Sequence, residues 1–249
     1  MCVIERTEGG KLKRYGFVST GNFNESTARI YTDYTLFTSD QRILKDVNKV
    51  FDFFNTNYKI FRYKHLITSP HYTQSTLFKL IDTEIENVKL GKQAYIKLKM
   101  NSISNYKMID KLYKASNAGV NIQMIVRGIC CLIPGIPKMS ENIEVISVVD
   151  RFLEHTRLFI FANDDEPKVF ISSADLMTRN IDNRVEVTCP IYDSDIKQEL
   201  IDTFHICWND NVKARIINKD QNNQYKRNNL LKVQSQLETY NYYLNKLEN

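Results

Sequence analysis

Apolar and polar positions alternate along this chain in blocks that change period several times. Met1 to Ile4 opens as an apolar strand, Gly9-Gly10 makes a turn, and Tyr15 to Ser19 returns. Thr20 to Arg29 is a polar loop, and Tyr31 to Phe37 is β-prone. Ser39 is expected to cap a helix to about Phe54, with Ile43, Val47, Val50, Phe51 and Phe54 on one face. The pattern changes after Asn55-Thr56-Asn57, which places a boundary near residue 65. A second helix runs from Thr73 to about Leu90 and stops at Gly91. Then come a strand (Ala94 to Leu98), a helix (Asn105 to Asn117) and a strand (Asn121 to Val126). That order predicts a βαβ unit with a parallel pair and a right-handed crossover.

Ile143 to Val149 reads as a further strand, and Glu154 to Phe161 and Val169 to Ile171 as an antiparallel pair. An alternating strand is expected over Asp182 to Pro190 and a helix over Ile196 to Trp208, with His205 structural. A short strand at Val212 to Ile217, a polar loop and a last helix from Leu230 to Leu247 finish the chain. Leu230, Leu237 and Leu244 recur at seven-residue spacing, so that helix has an apolar face to dock on its own domain or a partner.

The candidate chemistry gathers around Glu154-His155-Thr156-Arg157. On a strand, residues two apart share a face, so His155 and Arg157 are expected to project together. Ser172-Ser173-Ala174-Asp175 ends the returning strand and supplies hydroxyls and backbone N–H groups. An imidazole, a guanidinium and such a loop suit a phosphate. Arg127 follows the βαβ unit at a strand's carboxyl end, where α/β sheets bind ligands. Each residue also has a structural reading: His155 as a half-buried histidine at a strand end, Arg127 as a solvated arginine.

A repeat weighs on the functional side. Met1 lies over Leu158, Ser19-Thr20 over Ser172-Ser173, Asn22 over Asp175 and Asp33 over Glu186. The acid comes fourteen residues after the first serine in both copies. Asn22 and Asn24 thus join Ser172, Ser173 and Asp175 as candidate loop contacts. The first copy would need its own His-x-basic pair just before Met1, so the opening strand reads as the cut end of a longer unit.

Composition narrows the rest. The 249 residues carry 43% hydrophobic and 25% charged side chains, an ordinary globular balance with room for a core. No run of apolar residues is long enough to span a membrane, and the N-terminus lacks the features of a signal peptide. Five cysteines without a CxxC pair read as reduced thiols of a cytoplasmic protein, with no metal site. The net charge of +5 favours an anionic ligand without demanding nucleic acid.

Two halves, each with His-x-Lys/Arg and a Ser/Asn loop downstream, resemble the phospholipase-D-like superfamily. Longer strings bring the chain nearer to the polyphosphate kinases that phosphorylate themselves on histidine. These are Gly21-Asn22-Phe23-Asn24, Ala28 to Tyr34, Leu66 to Pro70, Val126-Arg127-Gly128, Asp150 to His155, Ser172 to Asp182 and Val212 to Arg215. The resemblance implies an α/β fold: a phospholipase-D-like mixed sheet flanked by helices. Residues 1–65 would end a first catalytic domain, and residues 66–249 would form a complete second one. It implies reversible transfer of the ATP γ-phosphate to polyphosphate through a phosphohistidine, with ADP as product. Tyr31, Arg127 and His155 fall on ATP- and phosphate-contacting positions, with Arg157 beside them, and His155 on the second active-site histidine. The phosphorylated histidine and the magnesium ligands would lie upstream, so this chain alone is expected to be inactive. Its partners would be ATP or ADP, polyphosphate, the missing N-terminal part and further copies in a homo-oligomer. Two other readings stand beside this one: a phosphodiesterase or nuclease of the wider superfamily, and a non-catalytic polyanion-binding module.

Overall fold

The computed structural model describes residues 1–248. Strand β1 (Cys2–Glu8) pairs antiparallel with β2 (Lys11–Ser19) across a tight turn. Gly9 and Gly10 both hold positive φ (56° and 75°) there, which a side chain would strain. The polar loop holds one helical turn, α1 (Glu25–Ala28), and leads to β3 (Tyr31–Thr32) and β4 (Thr35–Thr38). Strand β4 completes a three-stranded sheet in the order β1-β2-β4. Helix α2 (Gln41–Asn55) follows. Its cap is Asp40, not Ser39: Asp40 Oδ1 accepts the Arg42 N–H at 2.8 Å. Ile43, Val47 and Val50 are buried as their spacing predicts, but Phe54 stays 57% exposed.

Next come β5 (Ile67–Thr68), α3 (Thr73–Lys89), β6 (Tyr95–Met100), α4 (Tyr106–Asn117) and β7 (Asn121–Val126). Asn105 caps α4, and β6 and β7 are parallel, as the βαβ pattern requires. Strands β8 (Ile143–Ser147), β9 (Leu153–Glu154), β10 (Leu158–Phe161), β11 (Lys168–Ser172) and β12 (Val187–Ile191) then precede α5 (Ser194–Trp208), β13 (Arg215–Ile217) and α6 (Ser235–Glu248). The main sheet has eight strands in the order β13-β8-β7-β6-β10-β11-β12-β5, parallel across β6, β7 and β8 and antiparallel elsewhere. It is a mixed sheet flanked by helices.

Both faces of this sheet are covered, and the period-2 alternation of its strands sorts side chains between two cores. Phe159 and Phe161 of β10 join the core under α3 and α4, with Leu77, Ile81, Met108 and Leu112. Leu158 and Ile160 join the core under α2 and α5, with Val47, Leu200 and Phe204. Burying an aromatic or branched side chain of this size stabilises by about 1.5–3 kcal/mol. Strand β6 departs from this apolar pattern on one face, where it carries Lys97 and Lys99.

Two expected elements form differently. Residues Arg179–Asn183 make a π-helical turn, so the strand expected from Asp182 begins only at Val187. Asn180 in that turn donates to Glu186 Oε1 at 2.6 Å, which folds the segment back on itself. The last helix begins at Ser235 and not at Leu230. Asn211 bonds the Leu231 carbonyl and the Val233 N–H, which keeps that stretch out of a helix, and Asp210 Oδ2 accepts the Ser235 N–H at 2.8 Å. The leucine stripe of this helix faces outward, with Leu237 53% exposed, while Tyr242 and Lys246 bond to Asp202 and Glu199 of α5.

Candidate active site

The repeated loops of the two copies form the same hydrogen-bond lock. In the first, the Thr20 hydroxyl donates to Asp33 Oδ1 at 2.7 Å and accepts the Tyr34 N–H at 3.0 Å. In the second, the Ser173 hydroxyl donates to Glu186 Oε2 at 2.5 Å and accepts the Val187 N–H at 3.1 Å. The Thr20 N–H bonds the Tyr34 carbonyl, as the Ser173 N–H bonds that of Val187. Ser19 accepts the Gly21 N–H and contacts the Thr35 hydroxyl; Ser172 accepts the Ala174 N–H and contacts that of Thr188. The lock hydroxyl thus stands thirteen residues before the lock acid in both copies, one residue after the serine from which the fourteen-residue spacing is counted. Gly21 lets the first lock close, because a Cβ there would sit 2.1 Å from Asp33 Oδ2.

The acid of the first copy reaches across to the histidine of the second. His155 Nδ1 lies 2.8 Å from Asp33 Oδ1, and His155 Nε2 lies 2.8 Å from Arg157 Nη1. A guanidinium can only donate, so Nε2 is the acceptor and Nδ1 carries the proton toward Asp33. The backbone supports this placement. Strand β9 runs parallel to β3, with the Leu153 N–H on the Ile30 carbonyl and the His155 N–H on the Thr32 carbonyl. The Tyr31 ring tilts over the imidazole with centroids 5.0 Å apart.

His155 and Arg157 do come together, but not as neighbours on one strand face. Residues 155–157 lie between β9 and β10, and Arg157 folds back so that Nη1 also bonds the His155 carbonyl at 2.7 Å. Its Nε and Nη2 grip Asp175 at 3.3 and 3.0 Å. Asp175 in turn accepts the N–H groups of Asn101 and Ser102. Arg157, buried at 6% exposure, thus braces the histidine while it also lines the cleft described below.

Arg127 shows the opposite arrangement. Its Nε donates to Asn101 Oδ1 at 2.5 Å and to the Glu154 carbonyl at 2.6 Å, while its two terminal nitrogens bond nothing among the described residues. Burial, and then the Arg157 cation nearby, lower its pKa from the ordinary arginine value. Glu154 points the other way, into a buried pair with Lys99 at 2.8 Å. Burial opposes both charges, but the attraction outweighs it: the carboxyl's pKa is lowered and the ammonium's raised.

Beside these groups opens a cleft of about 650 Å³, lined by both loops, His155, Arg157 and the π-helical turn. Thr20, Asn22, Ser173 and Asp175 reach its wall, and Tyr31 and Arg127 do not. Asn24 instead caps α1, accepting the N–H groups of Ser26 and Thr27, and the buried Ser172 is occupied by Thr188 and Ala174. Sequence reasoning missed Arg179 and Arg184, two exposed arginines on the cleft wall with no ion-pair partner among the described residues. It also missed the histidine-holding role of Asp33, although the repeat had singled that residue out. No group of three or more His, Cys, Asp or Glu side chains among the described residues is arranged to hold a metal ion.

Fold and cleft define a duplicated α/β scaffold in which a carboxylate of one copy holds an imidazole of the other. Comparison with known proteins narrows the class. Residues 66–236 match the family model described as polyphosphate kinase C-terminal domain 2, and residues 1–60 match polyphosphate kinase C-terminal domain 1. The chain belongs to the polyphosphate kinase family. It is 48% identical over 246 residues to the polyphosphate kinase of Vibrio parahaemolyticus, covering 98% of this chain and 35% of the relative. It is 45% identical over 243 residues to that of Escherichia coli K12, covering 97% of this chain and 35% of the relative. The crystal structure of polyphosphate kinase from Porphyromonas gingivalis superposes with a TM-score of 0.91 at 44% identity, covering 98% of this chain and 38% of that one. The chain thus spans about a third of the length of the curated relatives it matches.

Proposed function

We propose that this chain is the histidine-bracing and nucleotide-binding part of an ATP–polyphosphate phosphotransferase. Residues 1–65 are the end of its first catalytic domain and residues 66–249 its second. In this reading the γ-phosphate of ATP passes to a histidine upstream of this chain and on to the end of a polyphosphate, releasing ADP, and the steps reverse. The observation that carries the reading is the contact between Asp33 and His155 at 2.8 Å, which makes the two repeats share one site. The repeated lock extends it: Glu186 occupies the position of Asp33 and would hold the upstream histidine in the same way. Magnesium would enter with the nucleotide and ligands outside this chain, and the complete protein is proposed to be a cytoplasmic homo-oligomer.

The residues present act on phosphate and protons. His155 has a free proton site only at Nε2, where Arg157 now donates. A phosphate oxygen entering the cleft would compete for that Nη1 donor and leave Nε2 to take or return a proton. Asp33 would then stabilise the imidazolium through Nδ1. The terminal nitrogens of Arg127, together with Arg179 and Arg184, are uncommitted cations that would balance charge on the transferring oxygens. Tyr31 would pack against the nucleotide from its place over the imidazole.

Arg127 tests this reading. In the complete protein Arg127→Ala should weaken ATP binding about tenfold or more, since charge-assisted contacts contribute roughly 1.5–3 kcal/mol each. Tyr31→Ala should raise the KM for ATP while the thermal transition holds. Unchanged nucleotide affinity in the first variant, measured by calorimetry, would return Arg127 to a structural role.

A further inference from the structure

At the other end of β11 and β12 from the cleft lies a separate cavity of about 320 Å³. Both strands run between the two places. Lys168 begins β11 at the cavity and Ser172 ends it by the lock, whereas β12 starts with Val187 on the cleft wall and reaches the cavity at Ile191. Its walls combine the rings of Tyr63, Tyr72 and Tyr192 with the ammonium-bearing chains of Lys64, Lys168 and Lys197. No carboxylate lines it. None of the three lysines makes an ion pair among the described residues, whereas Lys99, Lys111 and Lys246 all do. Uncompensated cations around an apolar, aromatic space are complementary to a planar anion.

Two further features favour an anion with a hydrogen-bonding edge. His65 Nδ1 lies 2.6 Å from the Tyr192 hydroxyl, which leaves Nε2 without a partner among the described residues. The first turn of α3 contributes Tyr72 and Thr76 to the wall, and no side chain caps that helix. The aligned peptide dipoles of that first turn add to the positive potential there. Burial pushes the Tyr63 phenol up to about 12, so it remains an O–H donor at neutral pH.

We propose that this cavity is a second nucleotide site, outside the catalytic cleft, that takes a purine nucleoside monophosphate with its base against the tyrosines and its phosphate among the lysines. A cavity of 320 Å³ suits a ligand of that size. The site is distinct from the proposed ATP site, so its test does not depend on the phosphotransfer reading.

AMP and ribose 5-phosphate are the probes, titrated into the full chain by calorimetry, with amide hydrogen exchange to locate the contact. AMP should bind and slow exchange over residues 63–76 and 190–192. Ribose 5-phosphate, which lacks the base, should bind about tenfold more weakly or worse, since a stacked aromatic base is worth about 1–3 kcal/mol. The double variant Lys168→Gln, Lys197→Gln removes two charges and keeps the length of the chains. It should lose at least about tenfold in AMP affinity, as expected for two charge-assisted contacts, and keep the parent's thermal transition. Arg127→Ala should bind AMP at this cavity as the parent does. The proposal is overturned if AMP fails to bind at millimolar concentration, or if its protection maps to residues 20–33 and 155–157 alone. It is equally overturned if the double variant keeps its affinity or if ribose 5-phosphate binds as tightly as AMP.

Discussion

Asp33 sets the chemical state of His155. It accepts the Nδ1 proton at 2.8 Å, so the ring presents a lone pair at Nε2. Asp33→Asn keeps the shape but removes the charge and lets the amide donate to Nδ1, which selects the wrong tautomer. In the complete protein, turnover should fall by about 10²–10⁴-fold, the usual range for losing a positioned acid–base group, with folding intact. His155→Ala should fall as far, and His155→Gln should not rescue it. If His155→Gln kept near-full rate, His155 would be a hydrogen-bond donor to phosphate and not a proton carrier. Glu84 offers a contrasting, purely structural test. It is fully buried, and its Oε1 accepts the Asn163 N–H at 2.8 Å. Burial raises its pKa from the ordinary 4.5. A raised acid is least costly to the fold when protonated, so stability is lost as pH rises from 4.5 through the folded value. Glu84→Gln, which carries no charge at either pH, should therefore be less costly or more stabilising relative to the parent at pH 7 than at pH 4. A difference in melting temperature between variant and parent that is the same at pH 4 and pH 7 would contradict this.

Strand β9 is only two residues long, yet it fixes the histidine. On one side β3 holds it; on the other Gln236 of α6 acts as a surrogate strand. Gln236 accepts the Phe152 N–H at 3.0 Å and donates to the Phe152 carbonyl and Glu154 Oε1, each at 2.8 Å. Gln236→Ala should cost about 1–2 kcal/mol, the net worth of such bonds after hydration of the freed groups. Amide exchange over residues 152–155 should quicken while α5 keeps its protection. Equal exchange in both proteins would show that β3 alone holds the strand. Elements were legible in the sequence where their own residues decide them. The β6-α4-β7 unit has a consistent period, an Asn105 cap and a parallel pair, and it forms as the pattern predicts. The start of α6 was not legible, because Asp210 and Asn211 set it from more than twenty residues away. The contacts that hold Arg157 were hidden for the same reason: Asp175 grips it, and the backbone of Asn101 and Ser102 holds Asp175.

At the scale of the molecule, the repeat was the most informative feature of the sequence. Matched serines and acids signalled a duplicated module, and in the structure both copies form the same lock bond for bond. The pairing of one copy's acid with the other's histidine was not legible, since no local pattern encodes a contact between residues 33 and 155. The equivalence also bears on β1. In the second copy β10 pairs with β11 on one edge and with β6 on the other. In the first, β1 pairs with β2 and has no second neighbour among the described residues. By that equivalence the free edge of β1 is open to a further strand. The direct measurement is phosphate transfer from γ-labelled ATP with magnesium to this chain and to the complete protein, followed by mapping of the acid-labile label. The account predicts no label on this chain and one phosphohistidine on the complete protein, upstream of Met1. Stoichiometric acid-labile phosphate on His155 would contradict it.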